Sequence, residues 1–417
     1  MAYSFDDTIA FSLDIRHGSY QLSYYKKNFD EPQMIVDRLD DTKSGLDSTA
    51  YIFTNPINGE KEVDFSHIQP IHENMPPERI IGDIFYDDLT DSSFSRHNLI
   101  ALFIRYCFVL LSQNIRGGRV NALCFTTKDT NTALQGDIRL ALDLLNMRDY
   151  RIVFSDYMES YYHYLIRQKK SAFDDRSVVF YRYGDDIVMG SLVFRNRLLE
   201  KSVSANEEAK LNLPLGYTLK QKDSMLAEFI KNRLNMLNTS SVFVCASDLL
   251  LNNMPLSLKA LENRGHIFAG NNLFAQGACY LAFYSEETGG LNNNFVNYLG
   301  NDRIKYDIFI EARHNKRMEN YILASAEQNF FDVKNTVDVI AENTNEFVFF
   351  ARSMENGSIT TFKISMNIPE RPPNTTRLRV SISFANVREF IMEIQDLGFG
   401  GFYPTSSLIF REVFELR

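Results

Sequence analysis

Two distant segments of the chain repeat one pattern, and that repeat limits the fold more than any other feature. TIAFSLDI and SYQLSYY lie either side of His17 and Gly18, and SVVFYRY and IVMGSLVF lie either side of Gly184, Asp185 and Asp186. Apolar residues at alternate positions around a short polar turn predict a β-hairpin, because successive side chains of a strand point to opposite faces. Segments of helical period and short apolar runs follow each hairpin. SRHNLIALFIRYCFVLLSQNI spaces Leu99, Leu102, Phe103, Tyr106, Val109 and Leu110 as a helix does, and RGGRV stops it before the strand VNALCFTT. TALQGDIRLALDLLNM, YRIVFSD and YMESYYHYLIRQ then read as helix, strand and helix. After the second hairpin a helix over about 220–237 leads into the strand SSVFVCASD, and NLFAQGACYLAFY supplies another helix. Strands alternating with helices imply sheets covered by helices, so two hairpin-led α/β lobes are expected.

Residues 25 to 90 are acidic and loop-rich, with LDDTKSGLDS and NMPPER around short strands such as STAYIF. From about residue 321 the pattern changes to closely spaced short strands, as in a β-sandwich. RLRVSISF is the clearest, with Leu378, Val380, Ile382 and Phe384 on one face and Arg379, Ser381 and Ser383 on the other. ERPPNTT marks the turn before it and DLGFGGFYP the turn after. The predicted fold class is therefore α/β plus β, with lobes over 1–168 and 169–300 and a C-terminal β-sandwich over 301–417.

Composition removes several function classes. A chain of 417 residues with net charge −9 has no basic field for a polyphosphate backbone, so nucleic acid is not an expected partner. No apolar run reaches the roughly 20 residues that cross a bilayer, and MAYSFDDT lacks the order of a secretory signal, so a cytoplasmic location and no membrane partner are expected. Cys107, Cys124, Cys245 and Cys279 form no CxxC pair and sit among apolar residues, which reads as reduced core thiols. The seven histidines show no HExxH and no clustered ligand set, and neither a nucleophile elbow nor a Walker-type loop is present.

Two hairpin-led lobes followed by a β-sandwich resemble the actin, sugar-kinase and heat-shock-70 superfamily, whose body is two-lobed, actin-like and ribonuclease-H-like. The resemblance implies an ATP or ADP site with Mg²⁺ between the lobes, built from three glycine-rich loops. In the first, LDIRHGSYQLSYY keeps Asp14 at the metal-facing position and Gly18 in the turn, but Arg16 stands where a glycine belongs. In the second, YRYGDDIVM keeps Gly184 ahead of Asp185 and Asp186, with Tyr181 or Arg182 at the leading acidic position. In the third, Cys245, Ala246, Ser247 and Asp248 replace the glycines. The glycines of such loops let backbone N–H groups approach phosphates without a Cβ in the way, so all three loops are degraded. Arg16 could offset part of the loss by pairing with a phosphate.

FSDYMESYYHYLIRQ resembles the helix that joins the lobes in this superfamily, with Glu159 and Ser160 near the crossing. ASDLLLNNMPLSLKAL and NRGHIFAGNNLFAQGACYLAF resemble an uncharacterised bacterial family, domain of unknown function 5716, with Gln276, Gly277 and Ala278 at a small-residue helix turn. SMENGSITTFKISMNIPERPPNTTRLRVSISFANVREFIMEIQDLGFGG is similar in order and spacing to the peptide-binding β-sandwich of heat-shock-70 chaperones. No helical lid follows Arg417 and no acidic-leucine linker is visible near 300–310, so neither lidless clamping nor signal transmission between the domains is expected.

Each candidate residue has a second reading. Asp14 is a ligand to metal-bound water or a turn carboxylate capping local N–H groups. Asp185 and Asp186 are metal carboxylates or solvated hairpin charges. Tyr157, Tyr161, Tyr162 and Tyr164 form a recognition surface or packing between lobes. Arg371, Arg377 and Arg379 form a basic binding lip or the wet face of a strand. The expected function is a pseudo-ATPase that scaffolds a protein or peptide through its C-terminal β-domain. The alternative is a working or nucleotide-gated ATPase using Asp14, Arg16, Asp185 and Asp186 with Mg²⁺.

Overall fold

The computed structural model describes residues 8–35, 46–65, 76–89, 94–115, 117–129, 131–168, 175–196, 201–235, 237–246, 249, 251–284, 296–300, 302–314, 317–342, 345–354 and 357–416. The chain divides into two compact units, Met1–Val296 and Asn297–Arg417. No helix among the described residues is long and apolar enough to cross a membrane.

Among the described residues, the first unit holds two main sheets of one topology and a third, small sheet. The hairpin β1 (Thr8–Arg16) and β2 (Ser19–Tyr25) is followed by β3 (Gln33–Ile35), and β4 (Leu46–Asp47) adds a short pairing to β2. β5 (Ala50–Thr54), β6 (Lys61–Asp64) and β7 (Arg79–Ile81) form a separate small sheet. Next come α1 (Arg96–Asn114), β8 (Arg119–Thr127), α2 (Thr132–Leu144), β9 (Arg151–Asp156) and α3 (Tyr157–Leu165). The main sheet runs β3-β2-β1-β8-β9, antiparallel through the hairpin and parallel from β1 to β9.

The second hairpin repeats the scheme with β10 (Arg176–Tyr183), β11 (Asp186–Asn196) and β12 (Lys201–Asn212). It continues through α4 (Leu219–Leu234), β13 (Ser241–Cys245), α5 (Pro255–Leu261), β14 (His266–Ala269) and α6 (Leu273–Tyr284). Its sheet order β12-β11-β10-β13-β14 is that of the first sheet, again with an antiparallel hairpin and two parallel additions. The duplicated hairpin pattern of the sequence thus reports a duplicated topology.

Local chemistry explains where the helices begin. Asn131 and Asp156 accept the backbone N–H groups of Leu134 and Glu159, and Thr218 with Gln221 forms a full capping box on α4. Glycine explains how closely two of them pack. A Cβ on Gly277 of α6 would lie 1.8 Å from the Ser160 carbonyl oxygen of α3, so only glycine admits that crossing. α6 then lies on the first sheet, burying Ala278 and Cys279 with Ala10, Ala122 and Cys124. Ser12 Oγ donates to the Ala275 carbonyl at 2.6 Å, and Ser160 Oγ meets the hydroxyls of Thr126 and Ser155 at 2.8 and 2.9 Å. Small hydroxyls at these positions satisfy buried polar groups while keeping the layers close.

β15 (Val296–Leu299) spans the division between the units. The second unit contains β16 (Tyr306–His314), β17 (Arg317–Ala324), β18 (Lys334–Ala341), β19 (Glu346–Ser353), β20 (Ile359–Ser365), β21 (Thr376–Phe384), β22 (Glu389–Gly398) and β23 (Ile409–Glu415). Two antiparallel sheets, β17-β16-β19-β20 and β18-β21-β22-β23, share one core that includes Ile308, Phe349, Ile364, Val380 and Phe390. In β21 the expected alternation holds, with Leu378, Val380 and Ile382 buried and Arg377 and Arg379 exposed.

Candidate functional site

The ends of the two hairpins meet where the resemblance would place a nucleotide. Asp14, near the end of β1, is fully buried, and its Oδ2 accepts Arg16 Nε at 2.9 Å and Nη2 at 2.6 Å. Arg16 Nη2 also donates to Gln21 Oε1 at 2.9 Å and to the Asn271 carbonyl at 3.1 Å, just ahead of α6. Strand alternation puts residues 14 and 16 on one face, so the arginine in the glycine position folds back on the carboxylate. Burial favours the neutral guanidine, yet the Asp14 charge outweighs it and holds the Arg16 pKa above its ordinary value. Among the described residues, the opposite oxygen, Asp14 Oδ1, and the buried Tyr157 hydroxyl have no hydrogen-bond partner of ordinary geometry. Burial and then the Asp14 charge push the Tyr157 pKa well up.

An aromatic cluster lies beside the pair. Tyr157 stacks on Phe274 with centroids 4.1 Å apart and planes 7° from parallel, and Tyr181 meets both rings edge-on. It joins the starts of α3 and α6 to the second hairpin. Tyr157, Tyr161 and Tyr162 are all buried, so these tyrosines are packing between the sheets and not an exposed recognition surface.

The turns themselves touch. The His17 ring lies 4.1 Å from that of Tyr86, and His17 Nε2 is 3.1 Å from the Tyr183 hydroxyl of the second hairpin. Gly18, at φ 68°, donates its N–H to Asp83 Oδ2 at 2.7 Å. Lys128 at the end of β8, its side chain only 7% exposed, pairs with Glu207 of β12 at 3.1 Å and with Asp129 at 2.7 Å, and lies over the Tyr183 ring. Lys128 was not singled out from the sequence, because a lone lysine after a strand carries no pattern. Burial opposes the charge of Glu207, but hydrogen bonds from Lys128 and Lys210 prevail and lower its pKa.

The remaining candidates stand apart from Asp14. Gly184, at φ 58°, and Asp185 form the exposed tip of the second hairpin. The Asp185 backbone carbonyl accepts Leu213 N, and the Asp186 carboxylate faces β12, its Oδ1 accepting Asn212 Nδ2 at 3.0 Å. Ser247 and Asp248 lie outside the described residues. Cys245 and Ala246, beside them, are buried, and burial pushes the Cys245 thiol up to about 11.

Residues 88–301, just over half of the chain, match the model described as family of unknown function (DUF5716) C-terminal. The chain belongs to this family. In this DUF5716 member, residues 303–416 further match the model of a domain of unknown function, DUF8552. No curated protein matches. Among solved structures, one described as the crystal structure of apo psk41 ParM protein is similar at TM-score 0.39 and 11% identity, over 67% of this chain and 98% of that one.

In the β unit of the same family member, Arg371 departs from both of its expected roles. Its side chain is 5% exposed and grips Asp396 with two bonds of 2.8 Å, while Asp396 also accepts Gly398 N, Ser406 N and Ser406 Oγ. It is neither a binding lip nor a wet face, because the fully buried Asp396 carboxylate needs a cation beside it. Arg379 does lie on the solvent face, bonded across the sheet to Asp338 at 2.8 and 3.1 Å.

Proposed function

We propose that this chain is a heat-shock-70-like pseudo-ATPase, an actin-like two-lobed body that keeps its form without nucleotide and carries a β-sandwich binding a protein or peptide. The repeated strand order and the helix crossing at Ser160 and Gly277 support the actin-like part of the reading. A cytoplasmic site of action goes with it. The observation that carries the proposal is the bonding of Arg16.

The residues that the resemblance would give to magnesium and a polyphosphate do not fit them. Arg16 occupies Asp14 Oδ2 and places a fixed cation where a hydrated metal would need the carboxylate. The Gly18 N–H, a donor suited to phosphate, is committed to Asp83. The Asp186 carboxylate is turned to β12, bonded to Asn212 Nδ2, and Asp185 sits at the exposed hairpin tip. Releasing Arg16 would strand a buried carboxylate, which costs about 3–5 kcal/mol when such a pair is broken, although the partial exposure of Arg16 reduces that figure.

Calorimetric titration of MgATP and MgADP into the purified chain, beside Asp14→Ala, tests the reading. The expected result is no saturable heat up to about 1 mM nucleotide. Saturable micromolar binding that Asp14→Ala abolishes would overturn it and favour the ATPase alternative.

A further inference from the structure

We propose that β23 is a self-pairing edge, through which two copies of this chain join their β18-β21-β22-β23 sheets into one continuous antiparallel sheet. Among the described residues β23 pairs only with β22, so one row of its backbone N–H and C=O groups faces outward, and such an edge is a template for another strand. Phe410 and Phe414 pack on the core side, while Ile409, Arg411, Val413 and Glu415 lie on the solvent face. Ile409 is 56% exposed and Val413 65%, which is unusual for β-branched residues beside an open edge.

The charge pattern selects a second copy as the occupant. In a two-fold antiparallel pairing, each residue faces its mirror position about a central residue, and paired residues share a face. Centred on Val413, the pairing sets Val413 against Val413, Arg411 against Glu415 and Glu415 against Arg411, all on the solvent face and all within the strand. Centred on Glu412 it sets Glu412 against itself, and centred on Arg411 it sets Arg411 against itself, each a destabilising like-charge contact. The register centred on Val413 is therefore self-complementary within the strand and free of the like-charge contacts that the registers centred on Glu412 and Arg411 carry. The edge strand β17 has one comparable centre at Met318, but only Arg317 to Glu319 would pair within that strand.

Sedimentation velocity of the full chain across a concentration series up to about 100 µM should show a monomer–dimer equilibrium. Arg411→Glu and Glu415→Arg should each weaken the dimer on the order of 30-fold, and the double swap should restore it to within about threefold. Arg411 also stands opposite Glu393 within its own sheet, so melting temperatures are followed to show that the variants stay folded. Val413→Cys should give a disulfide-linked dimer on mild oxidation, because opposed Cβ atoms in such a ladder are about 4.5–5.5 Å apart. The four native cysteines are buried and give no background. A monomer at every concentration, or a dimer that ignores the charge swaps and leaves Val413→Cys unlinked, would overturn the proposal.

Discussion

Replacing Gly277 by alanine should destabilise the body although alanine is the better helix former. The added methyl would sit 1.8 Å from the Ser160 carbonyl oxygen and 2.6 Å from its carbon, against an ordinary contact of 3.4 Å or more. The obstacle is main chain, so no rotamer change relieves it and α3 and α6 must part. Overpacking of this kind costs about 1–3 kcal/mol, and a backbone clash belongs at the upper end. Helix propensity returns about 1 kcal/mol, leaving a net loss of about 2 kcal/mol and a melting temperature lower by roughly 4 °C. Gly136 in α2 is the matched control, since its Cβ would meet nothing within 4 Å, and Gly136→Ala should stabilise by up to about 1 kcal/mol. Thermal unfolding of the three proteins under one buffer measures both signs. A Gly277→Ala protein as stable as the parent would refute the close crossing, and with it the account of how α6 reaches the first sheet.

Arg371→Ala should destabilise the β unit by about 3 kcal/mol at neutral pH, because it leaves the Asp396 charge buried without its partner. Burial favours the neutral acid at Asp396, but the bonds from Arg371 and Ser406 prevail and depress its pKa in the fold. The stabilisation from that shift is therefore present above the unfolded value of 3.8 and is lost as pH falls below it toward the folded value. Denaturant unfolding of parent and variant from pH 7 down to pH 3 should show their difference shrinking only below about pH 4; a constant difference would contradict the role given to Asp396. Burial pushes the Cys124 thiol up to about 12 and Cys245 to about 11, and all four cysteines are buried. A thiol-specific chromophore at pH 8 should therefore count no reactive cysteine in the native chain and four after unfolding, and rapid native labelling would contradict the packing around α6.

The hairpins and the β21 alternation were legible because each is a local pattern with a period set by backbone geometry. β12 was not. KSVSANEEAKLN is mostly polar and carries two adjacent glutamates, so nothing in its period marks a strand, and it is ordered by a long antiparallel pairing with β11. β14 was missed for a related reason, since HIFA is four residues long and becomes a strand by parallel pairing with β13. At the candidate site, Asp14 and Arg16 could be picked out as unusual, but their bonding to each other could not. Whether an arginine two residues from a carboxylate reaches out to a ligand or folds back depends on what else lines the pocket. Here Gln21 and the Asn271 carbonyl, the latter more than 250 residues away in sequence, hold it inward. Arg371 failed to be legible in the same way, because its partner Asp396 lies beyond a whole strand.

A ligand shifts a two-lobed body between states only by contacts that differ between those states. In this chain the contacts that join the two hairpin-led sheets are made by side chains and backbone already present. His17 meets Tyr183, Lys128 meets Glu207, Ser12 reaches the Ala275 carbonyl and Ser160 abuts Gly277. The Asp14 and Arg16 pair adds a bond from the first hairpin to the residues ahead of α6. On the proposed reading, each of these does permanently what a bound nucleotide would do reversibly, so the body serves as a fixed platform. On that reading a partner would be bound by the β unit away from β23, whose edge is taken up by the second copy. A platform joined to its own copy through β23 would gain avidity, because linking two binding sheets raises the effective concentration of the second for any partner that spans both.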